Sequence, residues 1–313
     1  MTLSKLMTAT AAAILLATGT TQAATLTTVA TFDPSKSEFP ENLVFDRQNN
    51  MFVSLLLSNQ VRKITPEGVQ TTYVTFNGAP GSLTAGLVIN DDTGDLYVAY
   101  DAAGQNSAVY VVHPDQSKEV FATFPVGAGL NGMTPDDHGN LYLADAFLGY
   151  VWRVRAKGGT PEIWLDLHAP GSLYVPGPNG IKFDEYKRNL YVSVSYQGTI
   201  YRIPFGDDGQ PGTPVAFVTG ITPDDFAFDL FGNLYVATEP SMSVVRVRPD
   251  GTVETIASAA DGLQNTSAVL FGRDGFEQLE LYILSFALPP TPSPHPAVYK
   301  LFVGLPGLPV SIP

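Results

Sequence analysis

An aromatic residue recurs inside a short apolar run at Phe52, Tyr97, Tyr142, Tyr191, Tyr235 and Tyr282, at intervals of 45, 45, 49, 44 and 47 residues. A period of that length, kept over nearly the whole chain, leaves few folds open. Each unit must be a supersecondary element that buries its apolar faces against its neighbours. A first run precedes each aromatic one, as in Pro-Glu-Asn-Leu-Val-Phe-Asp at 40–46, Gly-Ile-Lys-Phe-Asp at 180–184 and Phe-Ala-Phe-Asp at 226–229. Gly-Asn turns such as 139–140 and 232–233 join the two, supplying backbone angles that most residues resist. Third strands follow at 150–154, 200–203, 244–247 and 298–301, and outer strands such as 119–124 complete the unit. The pattern predicts an all-β, six-bladed β-propeller with four-stranded blades. The last unit lacks a fourth strand, whereas 25–32 reads as one, so the mature N-terminal strand is expected to close the ring.

Composition agrees with a turn-dense globular chain: 29 glycines, 25 prolines, 11% aromatic and only 15% charged residues. A formal net charge of -13 with no basic cluster argues against nucleic-acid binding. Lys5, the mostly apolar stretch from Leu6 to Ala17 and the small residues around Ala23 read as a signal peptide over 1–23, processed near Ala23–Ala24. That leaves 24–313 as a single domain, secreted or periplasmic, with no run long enough for membrane insertion. With no cysteine in the chain, packing and strand pairing must close the fold. A ring that closes on itself leaves few edges, so a monomer is expected. The repeated tyrosines read as packing residues between blades.

First strands of a propeller line its central channel, so equivalent positions on them should converge on the axis. Counting back five residues from each first-strand end gives Glu41, Ala85, Asn131, Asn179, Asp224 and Ser267. Two carboxylates and two amides, without sulfur or histidine, form a hard-oxygen set that suits Ca2+ better than magnesium or zinc. Polar groups merely hydrating a water-filled channel are the alternative.

Read together, Pro40-Glu41-Asn42, Leu130-Asn131-Gly132, Pro178-Asn179-Gly180 and Pro223-Asp224-Asp225 carry a family resemblance. The chain resembles the six-bladed propellers of the senescence-marker-protein (regucalcin) and gluconolactonase family, related to paraoxonase and diisopropyl fluorophosphatase. The resemblance implies that Glu41, Asn131, Asn179 and Asp224 bind a divalent cation, usually calcium. It also implies hydrolysis of a small-molecule lactone or ester. In the regucalcin branch the residue matching Asn131 contacts substrate more than metal, and an arginine stands two positions earlier, where this chain has Gly129.

Within that reading Asp224 is the expected catalytic residue, as base, water-orienting group or nucleophile. Asn131, Asp225, Asp145, His168 and His295 are the expected substrate-lining residues. The two histidines lie on the long connections 166–177 and 285–296, on the face where the first strands begin. His113 and His138 fall at turns and are not assigned a role. The reading left beside hydrolysis is a non-catalytic propeller with structural calcium that binds a ligand or protein on this face.

Overall fold

The computed structural model describes residues 24–168, 177–310 and 312; the expected signal peptide and most of the connection carrying His168 lie outside them. The chain begins with β1 (Thr27–Thr31) and then runs blade by blade. Blade one is β2 (Pro40–Phe45), β3 (Met51–Leu55), β4 (Gln60–Ile64) and β5 (Gln70–Thr75). Blade two is β6 (Leu83–Ile89), β7 (Leu96–Asp101), β8 (Asn106–Val112) and β9 (Lys118–Val126). Blade three is β10 (Leu130–Pro135), β11 (Leu141–Asp145), β12 (Tyr150–Val154) and β13 (Glu162–Asp166). Blade four is β14 (Pro178–Phe183), β15 (Asn189–Val194), β16 (Thr199–Pro204) and β17 (Val215–Thr219). Blade five is β18 (Pro223–Phe228), β19 (Leu234–Thr238), β20 (Ser243–Val247) and β21 (Val253–Ala257). Blade six is β22 (Thr266–Phe271), β23 (Glu280–Ser285) and β24 (Ala297–Phe302), completed by β1.

The result is six antiparallel four-stranded sheets, each built from consecutive strands except the last, whose order is β1-β24-β23-β22. In that sheet Thr28 pairs with Tyr299 and Ala30 with Val298, so the expected closure by the N-terminal strand is present. First strands are almost wholly buried and outer strands largely exposed, as a radial stack of sheets requires. The period legible in the sequence is the packing between blades. Tyr282, Tyr142, Tyr191 and Tyr235 each meet the first-strand phenylalanine of the next blade, Phe45, Phe183, Phe228 and Phe271, edge to face at 4.8–5.4 Å.

The turns opposite the channel mouth hold more than glycine chemistry. In blades one, three and five, Asp46, Asp136 and Asp229 each accept from the backbone N–H of an asparagine four residues on, and from its side-chain amide. Asp184 does the same for Asn189 in blade four. These closed aspartate-asparagine rings satisfy turn groups that would otherwise need water.

Every first strand carries a register shift near its start: Pro40/Asn42, Thr84/Leu87, Leu130/Met133, Pro178/Ile181, Pro223/Phe226 and Thr266/Val269. The extra residue in each is a β-bulge, which unpairs the backbone locally and re-aims a side chain. Glu41, Ala85, Asn131, Asn179, Asp224 and Ser267 all fall inside these bulges, so the six positions found by counting are structurally equivalent.

Candidate metal centre at the channel mouth

A bulge frees backbone groups that must find partners inside a buried channel. Second-strand hydroxyls supply them: Ser54 Oγ accepts from Asn42 N–H, and Ser193 Oγ accepts from Gly180 N–H while donating to the Asp224 carbonyl. Ser267, the axial residue of blade six, donates to the Pro40 carbonyl, and Ser195 donates to the Pro223 carbonyl. Glycine follows the axial residue where neighbouring bulges come closest. A Cβ on Gly86 would stand 2.0 Å from the Asn131 carbonyl oxygen, and one on Gly180 would meet Asp224 and Asp225. The backbones of neighbouring first strands are thereby packed directly against one another.

Glu41, Asn179 and Asp224 are 7%, 8% and 6% exposed. Asn131 donates from Nδ2 to Glu41 Oε1 at 3.2 Å. Burial, with the charges of Glu239 and Asp225 nearby, pushes the Glu41 carboxyl up to about 8 against the lowering hydrogen bond from Asn131. Asp224 is raised well above the carboxylate range by burial, by the charges of Glu41, Glu239 and Asp225, and by a hydrogen bond with Glu239. Asn179 donates to Ser195 Oγ at 3.4 Å, while its Oδ1 is buried with no hydrogen-bond partner. Two buried acids that act on each other and an unsatisfied amide oxygen are the groups here that could serve a hard cation. Among the described residues no three His, Cys, Asp or Glu side chains form a metal-holding group by themselves, so any cation here depends on amide oxygens as well.

The remaining expected site residues are held in other ways. Asp145 is fully buried: Oδ1 accepts from the N–H groups of Gly129, Phe147 and Leu148, and Oδ2 accepts from Trp152 Nε1. It therefore does not line the pocket as expected; its oxygens are consumed in tying the tip of blade three to the strand that follows. Asp225 acts on Glu41 and Asp224, but its own oxygens are engaged. It stands in the channel wall, ion-paired to Lys182 at 2.7 Å and accepting from Asn42 Nδ2 and Phe226 N–H, so its carboxylate is taken up inside the protein. The His168 ring is bonded to Asp166 and edge-on to Tyr150, not to the axial acids. His295 is exposed and anchored through its backbone N–H to Gln264.

Glu239 is the residue that sequence reading missed. It directly follows β19, half-buried, accepts from Asn265 Nδ2 at 3.1 Å, and acts on both Glu41 and Asp224. The same counting could have found it. The residue after each second strand is Leu56, Ala102, Ala146, Ser195, Glu239 or Phe286, and only one of these is charged.

Comparison with known proteins agrees with this architecture. Residues 174–287, which run from the entry of blade four into blade six, match the family model described as SMP-30/Gluconolactonase/LRE-like region. The chain is similar to "Lactonase drp35" of Staphylococcus haemolyticus, 26% identical over 210 residues, and to that of Staphylococcus aureus at 27%. Each match takes in 63% of this chain and spans 62% of the relative's length. Among solved structures, a calcium-binding protein, regucalcin, from Agrobacterium tumefaciens superposes with a TM-score of 0.73 at 16% identity, covering 90% of this chain and 96% of that one. A gluconolactonase from Xanthomonas campestris gives 0.68 at 18% identity and 90% of each chain. The chain is a six-bladed propeller, and its residues 174–287 are similar to the SMP-30/Gluconolactonase/LRE-like region.

Proposed function

We propose that this chain is an exported, calcium-dependent hydrolase of lactones or related esters, with its site at the channel mouth around Glu41, Asn131, Asn179 and Asp224. The observation that carries the reading is the pairing of two buried carboxylates, each raised by burial and by the other acids around it, with the orphaned Oδ1 of Asn179. The similarity to lactonases supports the reaction class.

Glu41, Asn179 and Asp224 would hold the cation, and Asn131, already bonded to Glu41, would orient either that carboxylate or the substrate. A divalent cation in such a site supplies polarisation of the lactone or ester carbonyl. Asp224 takes a proton from the attacking water as its oxygen bonds to the carbonyl carbon. When the ring C–O bond breaks, the same carboxyl returns that proton to the departing alkoxide, and a hydroxy acid leaves. The packed bulges keep these groups in place through the cycle, which is the preorganisation such chemistry needs. Among the described residues no helix is long and apolar enough to cross a membrane, and closure by β1 lets a single chain complete the ring.

The test is hydrolysis of a lactone and aryl-ester panel by the protein beginning at Ala24, with calcium, with chelator and with Asp224→Ala. Loss of activity under both perturbations is expected. Activity that survives chelation and Asp224→Ala would overturn the reading. A calcium-dependent rise in melting temperature with no hydrolysis would point instead to a binding propeller.

A further inference from the structure

The mouth of the channel carries an aromatic ring whose position is fixed by the same backbone that presents the two axial amides. Phe147, in the turn between β11 and β12, is 51% exposed, although the chain buries most of its aromatic residues. Its ring lies over Gly129, where a Cβ would fall 2.3 Å from Phe147 Cγ. Gly129 N–H and Phe147 N–H share one acceptor, Asp145 Oδ1, at 2.9 and 3.1 Å. The preceding residue, Ala146, donates its N–H to the Gly129 carbonyl at 2.7 Å and accepts from Gly177 N–H at 2.9 Å. Gly129 and Gly177 each stand two residues before an axial amide, Asn131 and Asn179. Two residues of extended chain span at most about 7 Å, so the ring is within one small molecule's length of the axial groups.

We propose that Phe147 is the specificity wall of the substrate pocket, selecting lactones or esters whose substituent next to the scissile bond is alkyl or aryl rather than polyhydroxylated. This rests on the hydrolase reading above and deepens it. The wall has no polar atom, and the side chain beneath it is absent because Gly129 lies under the ring. A hydroxylated substituent set against this face would lose hydrogen bonds to water and regain none, whereas an apolar one gains from each methylene it buries. Burial of Asp145 fits the same role, since a carboxylate with four donors holds the turn rigid enough for a ring to discriminate. Asp145 is then a positioning residue, acting through Phe147.

The experiment measures kcat/KM in saturating calcium for γ-butyrolactone, for γ-lactones with side chains of one to six carbons, and for gluconolactone. Wild-type values should climb with chain length and leave gluconolactone last. The Phe147→Ala loss should grow along the series to about ten-fold at six carbons, and Phe147→Leu should restore most of it. A uniform loss at every chain length, or gluconolactone as the best substrate, overturns the proposal while leaving the hydrolase reading intact. If nothing is hydrolysed, that reading fails, and calorimetric binding of 5-alkyl-2-pyrrolidinones decides separately. Affinity rising with chain length, and flattened by Phe147→Ala, upholds the apolar wall; affinity independent of chain length overturns it.

Discussion

Asp145 and Asp224 are both buried aspartates next to bulges, and what separates them is who satisfies their oxygens. Asp145 has four donors, whereas Asp224 faces other acids. Asp145→Ala should therefore cost about 3 kcal/mol by orphaning buried N–H groups, read by denaturant unfolding. Asp224→Ala should leave the calcium-free melting temperature no lower, because it removes a desolvated acid, yet abolish the gain on adding calcium. Asp101, bonded to the residue before Asn131, offers a pH signature of its own. Burial raises its carboxyl from 3.8 to about 8, against a lowering hydrogen bond from Leu130 N–H. A raised folded-state value means that the folded protein holds this proton more tightly than the unfolded chain. The stability it contributes is full below 3.8 and lost as pH rises through about 8. Melting temperature should fall across that window, and Asp101→Asn, which keeps an acceptor for Leu130 N–H, should flatten the fall. Residue identity alone did not distinguish these aspartates, because the donors around Asp145 come from turn geometry that spacing does not encode.

The bulges explain why counting along the strands worked and where it stopped. Strand alternation and the aromatic period made the blades legible, since both arise from burying one face of each sheet against the next. No residue type announces a bulge, yet the offset appears in all six first strands, so equivalent positions stayed equivalent. The second-strand ends were not counted in the same way, and Glu239 was missed there. Gly86 tests how tightly neighbouring bulges are coupled. Its missing side chain admits the Asn131 carbonyl, so Gly86→Ala must push β10 outward and shift Asn131 from Glu41. The expected cost is about 1–3 kcal/mol, with weaker calcium stabilisation, while Gly68→Ala provides a control at a site with nothing near its would-be Cβ. The control carries only the strain of its positive φ. Equal calcium responses in the two variants would show that the bulges do not set the centre's geometry.

At the scale of the molecule, closure of the ring decides whether six sheets behave as one cooperative unit. Two devices act at the seam. Opposite the mouth, Arg273 of blade six donates to Asp91 beyond β6 and to the Phe45 carbonyl at the end of β2, spanning three blades. At the outer edge β1 pairs with β24 and buries Ala30, and Phe32 beyond it is buried as well. Ala24 N–H is bonded to Asp261 Oδ1 at 3.0 Å, beside the connection from blade five to blade six. Processing at the proposed Ala23–Ala24 bond would turn that amide into an ammonium facing a carboxylate, strengthening the strand's anchor only after removal of the leader. Removing residues 24–32 should lower the melting temperature by about 10 °C, from the lost burial of Phe32 and the ladder to β24, and expose β24 as an edge prone to self-association. The anchor itself calls for a gentler comparison, between protein beginning at Ala24 with a free amine and the same protein N-acetylated. The free amine should unfold at the higher temperature near neutral pH, and the difference should vanish in Asp261→Asn. A difference that persists in Asp261→Asn would place the effect of the amine elsewhere than at this carboxylate.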